Sequence, residues 1–467
     1  MKRTKREWMP LYSYLDRNAI TAHLTGMASR GWMLERLGGW SWRYRRTEPK
    51  KLRFAVTFFP AASQFDAAPS EGLETYRDYC AAAGWHLAAE AAQVQVFYTE
   101  DADAVPIETD PAVELESIRQ SAKKGVIGSY WALLILAVFQ LAFQFHQIWT
   151  DPVDTLSSSA QLSAVLGWVP LLLLSGAELI RYYRWRRSAA AAAEAGLPLP
   201  NLKSIRWLGI LMLVWANANV LWMLGSYWHA KRMFLMMAGT VLFMSLLVLL
   251  ANAAKSAMKR LKAPRWVNFA ATVGIITALT IAGTTALGAW LLSGSGWLET
   301  QPPAETYEYR GMTWRVYHDP IPLRIEDLAE TDYDRWSTQA QVDSTFLLTH
   351  EVYTQLPRMD ALEQPELRYE LIKVRQGVLY DLCKNDFVAW VEQHNDSLPA
   401  EFREEYRLID APAWGAGEVY QRYSAGEAVN QFLVCWPDCI AEIKLEGDWV
   451  VTDEMASAAV KALHPGD

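Results

Sequence analysis

Apolar positions gather in five long unbroken runs in the middle of the chain, with short alternating or helical patterns on either side. The runs cover 126–145, 162–180, 207–227, 233–254 and 269–292. About 20 apolar residues in a helix cross a hydrocarbon core of roughly 30 Å. Helices of a soluble bundle would show a polar face every 3.6 residues, and these runs show none. They predict an all-α transmembrane region of five spans over 126–292. Four runs carry no charge, and the second ends in Glu178, just before Arg181. Met1–Pro10 is basic with no apolar stretch behind it, so no cleavable leader is expected.

Residues 7–100 contain a repeat. Met27-Ala-Ser-Arg-Gly-Trp-Met-Leu returns as Cys80-Ala-Ala-Ala-Gly-Trp-His-Leu, 53 residues later. Each copy reads as an amphipathic helix, with Ile20, Leu24 and Met27 or Leu73, Tyr76 and Cys80 inward. Gly31 or Gly84 then closes it in the left-handed position. A Trp and a strand follow. Strands are expected at 40–46, 52–59 and 94–98, with Glu48-Pro49-Lys50-Lys51 turning the first two into a hairpin. Two β-α-β-β halves with helices on one sheet face make an α+β domain of ferredoxin-like type over 1–109. Residues 110–125 read as a capped helix with Pro111 in its first turn, a linker to the membrane.

The early aromatic strand, the Ala28-Ser29-Arg30-Gly31-Trp32 helix end, the basic Trp-Arg-Tyr-Arg-Arg hairpin and the Ala83-Gly84-Trp85 unit together resemble the DUF2812 family. The resemblance implies membrane spans after this domain and kinship with uncharacterised proteins best known from Gram-positive bacteria. It implies no activity, cofactor or catalytic residue.

Charge divides the chain as sharply as hydropathy does. Residues 1–124 are net +1, 125–293 net +9 and 294–467 net −18. An apolar, basic centre excludes a fully soluble protein, a disordered chain and a disulfide-dense secreted module. Lys and Arg concentrate before the first span, between the second and third, and between the fourth and fifth: 14 residues, against 3 in the other flanks. That bias places the N-terminus in the cytoplasm of a multi-pass cell-membrane protein. Five spans then put the C-terminus outside.

After a linker at 293–306, residues 307–467 form a third, acidic domain. Strands are expected at 313–317, 345–353, 418–423, 431–435 and 440–445, an amphipathic helix at 377–393, and a last helix capped by Thr452. The class is α+β. Asp327, Glu330, Asp332 and Asp334 lack the order of a calcium loop, and the histidines lack zinc spacing. No metal or cofactor is expected.

Three sets of residues carry the candidate chemistry. Arg43, Arg45, Arg46, Lys50, Lys51 and Arg53, interleaved with Trp40, Trp42 and Tyr44, form a basic hairpin. It is either a solvated face or a docking surface for the anionic leaflet or a partner, and the near-neutral domain makes nucleic acid the weakest reading. Asn217, Asn219 and Glu178 are intramembrane polar groups, either helix packing or a substrate path. In the fifth span Gly274, Ala278, Ala282 and Ala286 allow close packing. Cys435 and Cys439 flank a Trp-Pro-Asp turn and are expected to face each other across a hairpin, as a disulfide or as free thiols. Phosphate-loop, serine-hydrolase and kinase motifs are missing. The expectation is a non-enzymatic sensing, regulatory or partner-binding membrane protein that links an outer domain to a cytoplasmic one. Its partners would be the bilayer, an unidentified protein or small molecule, and a second copy; a transporter component or membrane-embedded enzyme is the alternative.

Overall fold

The computed structural model describes residues 4–464 apart from 14, 40, 229–230, 293–302, 332–333, 396–398, 400–401 and 448. Trp40, Asp332 and most of the 293–306 linker lie outside the described residues. The chain divides into two compact units, Met1–Gln140 with Gly167–Leu298, and Leu141–Leu166 with Glu299–Asp467.

The first unit opens with β1 (Thr4–Trp8), α1 (Arg17–Ser29), β2 (Trp32–Arg36) and β3 (Ser41–Arg46). The same order returns as β4 (Arg53–Phe58), α2 (Glu71–Ala82), β5 (His86–Ala91) and β6 (Val94–Thr99). Each half builds its own antiparallel sheet with the last strand central, in the orders β1-β3-β2 and β4-β6-β5. Among the described residues the six strands make two sheets where one ferredoxin-like sheet was expected, and the hairpin expected between 40–46 and 52–59 is corrected with it. Tyr44 of β3 already lies opposite Lys5 on one side and Leu34 on the other, so no edge of β3 is left for β4. Residues 47–52 instead cross between the sheets.

The repeat itself holds in three dimensions. Gly31 and Gly84 end their helices at φ +77° and +81°. Met27 and Cys80, equivalent by the repeat, are both buried. The halves also interlock, because Ile20, Leu24 and Met27 of α1 share a core with Trp42 and Tyr44 and with Phe54 and Val56 of the second half. Each such buried aliphatic side chain contributes about 1.5–3 kcal/mol.

Asp110 caps α3 (Pro111–Ala122) by accepting from the Ala112 N–H at 2.8 Å, with Pro111 in the first turn as expected. A π-turn over Lys123–Ile127 carries α3 into α4 (Gly128–Thr150) without a break. There follow α5 (Pro152–Ser157), α6 (Ser159–Glu194), α7 (Arg206–Ser226), α8 (Lys231–Arg260) and α9 (Arg265–Leu292). Five of these helices are long and apolar enough to cross a membrane, and they coincide with the five runs. Their flanks bare large apolar side chains, such as Phe139, Leu221 and Leu242, about two-thirds exposed. Water would penalise that surface and lipid does not. The Ala-rich end of α6 continues the second span, and Pro170 lies inside it. Close approach of α8 and α9 occurs at Gly283, where a Cβ would overlap the Phe243 ring, while Gly274 has open space around it.

The second unit adds β7 (Glu305–Tyr309), β8 (Met312–Val316), α10 (Ile325–Leu328), β9 (Trp336–Ser344), β10 (Leu348–Pro357), β11 (Glu366–Val374) and α11 (Tyr380–Asn395). It ends with β12 (Glu404–Leu408), β13 (Glu418–Ser424), β14 (Glu427–Cys435), β15 (Cys439–Glu446) and α12 (Asp453–Leu463). Seven strands form one antiparallel sheet, ordered β12-β13-β14-β15-β11-β10-β9, and β7 pairs with β8. One sheet face carries Leu367, Tyr369, Leu371, Val434, Ala441 and Ile443 into a core closed by Ala456, Ala459 and Leu463 of α12. Thr452 caps α12 by accepting from the Met455 N–H at 3.3 Å. The strand expected at 345–353 starts later: Thr345–Leu347 turn, and β10 runs from 348 to 357.

Candidate functional site

Polar chemistry concentrates where each soluble part grips the connections between long helices. In the first unit, buried Asp16 stands just before α1. Its carboxylate accepts from Arg181 Nη1 at 2.6 Å, from the Ser204 hydroxyl at 2.6 Å and from the Ser13 N–H at 3.0 Å. Arg181, in α6, also donates through Nη2 to Glu178 at 2.7 Å and through Nη1 to the Lys203 carbonyl at 2.8 Å. Glu178 accepts a further bond from the Ser13 hydroxyl at 3.2 Å. One guanidinium therefore bridges two carboxylates, each of which also accepts from a hydroxyl. Such satisfaction is what a buried ion network requires. Apolar contacts among Leu15, Phe58, Ile118, Leu179, Tyr182 and Trp185 surround the same region.

A second grip holds the start of α9. Asp66 accepts from Arg265 at 2.6 and 2.8 Å, and Arg265 also donates to the Ala61 carbonyl at 2.6 Å. Asn268 donates to the Phe65 carbonyl at 3.0 Å, and Phe65 meets Phe269 edge-on at 5.4 Å. Burial alone would raise the Asp66 carboxyl; the Arg265 and Ser63 donors outweigh it and hold it below the usual range. Arg206, the first residue of α7, stacks 4.7 Å from the Tyr12 ring and donates to its hydroxyl at 3.1 Å. A pocket of about 390 Å³ lies beside Tyr12, lined by Met9, Leu11, Ile20, Gly39, Trp42 and Val94 among others.

The residues singled out from sequence scatter. Arg43, Arg45 and Arg46 lie on β3, Lys50 and Lys51 on the crossing segment, and Arg53 on β4. Arg43 pairs with Glu35 at 2.8 Å and Lys50 with Glu100 at 2.6 Å. Arg46 stacks on Trp32, and Arg53 donates to the Ala104 carbonyl at 3.1 Å. Glu178 belongs to the Asp16 network. Asn217 bonds the Leu213 carbonyl of its own helix at 2.8 Å, and Asn219 lies beside Gly167. Among the described residues no three His, Cys, Asp or Glu converge to hold a metal.

The cysteine expectation is corrected. Cys435 and Cys439 are free and buried. The turn closes between Trp436 and Cys439, whose N–H and carbonyl bond at 2.9 Å, so that Cys435 lies opposite Ile440. With a two-residue turn in place of the expected three, the thiols point to opposite sheet faces. Cys439 joins the α12 core, whereas Cys435 is on the α11 side, near Tyr380 and Lys384.

In the second unit the sheet face away from α12 receives α5. Pro152, Val153, Thr155, Leu156 and Ser157 are buried. The Thr345 hydroxyl donates to the Leu156 carbonyl at 2.7 Å, and the Ser159 hydroxyl to the Ser344 carbonyl at 3.4 Å. Buried His350 stands between Asp154 at 3.3 Å and Glu370 at 3.2 Å. Sequence reasoning counted Arg181 only for orientation, weighed His350 only for zinc spacing, and passed over Asp16 and Asp154. The available signal was an acid–base pair three residues apart at a span end, Glu178 and Arg181.

No curated protein and no solved structure matches this chain. A family match is confined to the first unit, from α1 through α3 to the first residues of α4, and so takes in the arm that enters the membrane helix. Residues 16–129 match the model of DUF2812, described as a protein of unknown function.

Proposed function

We propose that this is a non-enzymatic membrane protein of sensing or regulatory type, with a cytoplasmic DUF2812 domain and an outer acidic domain tied to the same helices. The observation that carries the reading is α6. Its first residue, Ser159, is bonded to Ser344, and its Arg181 is bonded to Asp16. A shift or rotation of α6 therefore acts on both grips. Orientation draws support from Arg181, Arg206, Lys255 and Arg265, part of the basic excess that marks an inner face. All four contact the N-terminal domain. Glu178 and Asn217 are engaged in packing bonds, which does not favour a substrate path.

The test uses sealed vesicles of defined orientation. An antibody fragment raised against residues 307–467 is added outside, and trypsin cleavage at exposed Lys51 is followed inside. A changed cleavage rate is expected. A rate indifferent to the fragment, and to every other outer perturbation, overturns the reading.

A further inference from the structure

His350 is a lone imidazole in an acidic surround. From α5 and its preceding turn it faces Asp154 and Asp151. On β9 its direct cross-strand neighbour is Asp343. On β11 it meets Glu370, which in turn lies opposite Glu442 of β15. From α11 comes Asp386, which accepts the Val153 backbone N–H. The neighbouring cations are committed elsewhere: Lys384 to Glu418 at 3.1 Å, and Arg375 to the Ser344 and Thr349 hydroxyls at 3.2 and 3.3 Å.

We infer that α5 is held on the C-terminal domain by a proton-dependent clasp, in which protonated His350 bridges Asp154 to Glu370 and loss of its proton frees the connection between the first two spans. This deepens the reading above, on which it rests, by naming what releases one of the two grips. The physics is a balance of like charges. With the imidazolium in place, carboxylates on three elements share one cation. Without it, Asp154 and Glu370 face the other acids unshielded, and the ring can donate only one hydrogen bond.

Burial opposes charge on His350, but the hydrogen bonds and fields of Asp154 and Glu370 outweigh it and raise its pKa from 6.5 to about 9. A raised value means that the clasp is fully made below pH 6.5 and is lost as pH rises through about 9. At the acid end Asp386, pushed up by burial and by neighbouring acids to about 6, sheds its charge and lessens the repulsion. Acidification to that point therefore tightens the clasp.

The experiment is amide hydrogen exchange of residues 151–158 in the full chain, in lipid nanodiscs, from pH 6 to 10, corrected for the intrinsic base-catalysed rate. Protection should fall on the order of a hundred-fold across the transition. His350→Gln should give low protection that is flat with pH, and Asp154→Asn should move the fall to lower pH. Amides of β11 and β14, read in the same spectra, show whether each variant is folded; Asp154→Asn alters an exposed side chain and keeps the test alive if His350→Gln is not. Protection flat to pH 10 in the parent, or a His350→Gln profile like the parent's, overturns the clasp. A parent clasp that opens on schedule while inner trypsin cleavage stays constant would overturn the coupling reading and leave the clasp standing.

Discussion

Arg181 is shared by Asp16 and Glu178, so Arg181→Ala would leave two buried carboxylates facing one another. Breaking a buried pair from one side costs about 3–5 kcal/mol. The variant should unfold at lower temperature in detergent and release residues 16–110 to protease first, with Arg181→Lys recovering part of the loss. A smaller effect is expected at Gly283, where Ala would press on the Phe243 ring and cost about 1–3 kcal/mol. Phe243→Ala in the same protein should relieve it, as a double-mutant cycle would show. Asp66 adds a pH limit. Its carboxyl is held low, so the grip on Arg265 persists at neutral pH and is lost only as pH falls below the ordinary value of 3.8. At this scale the sequence discloses which residues are charged and near a span end. It does not disclose which face each other, because Asp16 and Arg181 lie 165 positions apart and meet only when the chain between them folds.

The two repeat halves offer an internal comparison of elements. Gly31 and Gly84 share a left-handed φ, but a Cβ at Gly84 meets nothing, whereas one at Gly31 would lie 2.7 Å from the Thr47 carbonyl. Gly84→Ala should cost about 1–2 kcal/mol from backbone alone, and Gly31→Ala visibly more, measured by urea unfolding. Equal losses would mean that the halves tolerate strain alike. The spans, the repeat, α3, α11 and α12 were legible because each obeys a local rule: run length, periodicity or a cap. β11 was not. Leu371 and Ile372 are consecutive and both fully buried, since this central strand is covered on both faces and its alternation is blurred. The hairpin across Pro437 shows the other limit. A single residue of turn length decides which face every later side chain takes, and composition carries no such information.

For the whole molecule the sharpest prediction is topological. A reporter active only outside the cell should work when fused after Asp467 and fail when fused after Lys124. Equal activity at both points would mean an even number of spans, and the short, basic stretch 228–232 between the third and fourth apolar runs would be the first place to look. The electrostatic division of the chain was readable in advance. How the soluble parts grip the helix connections was not, because the contacts use segments far apart in sequence.

The grip on α5 has a consequence in time. Asp154 is synthesised about 216 residues before Glu370, an interval of about 10–40 s at ordinary elongation rates. Throughout it, the five α5 side chains that finish buried have no cover. A nascent chain arrested after its fifth span would present this connection bare to any surveillance protease on that side of the bilayer. The acidic domain thus covers a connection made well before it.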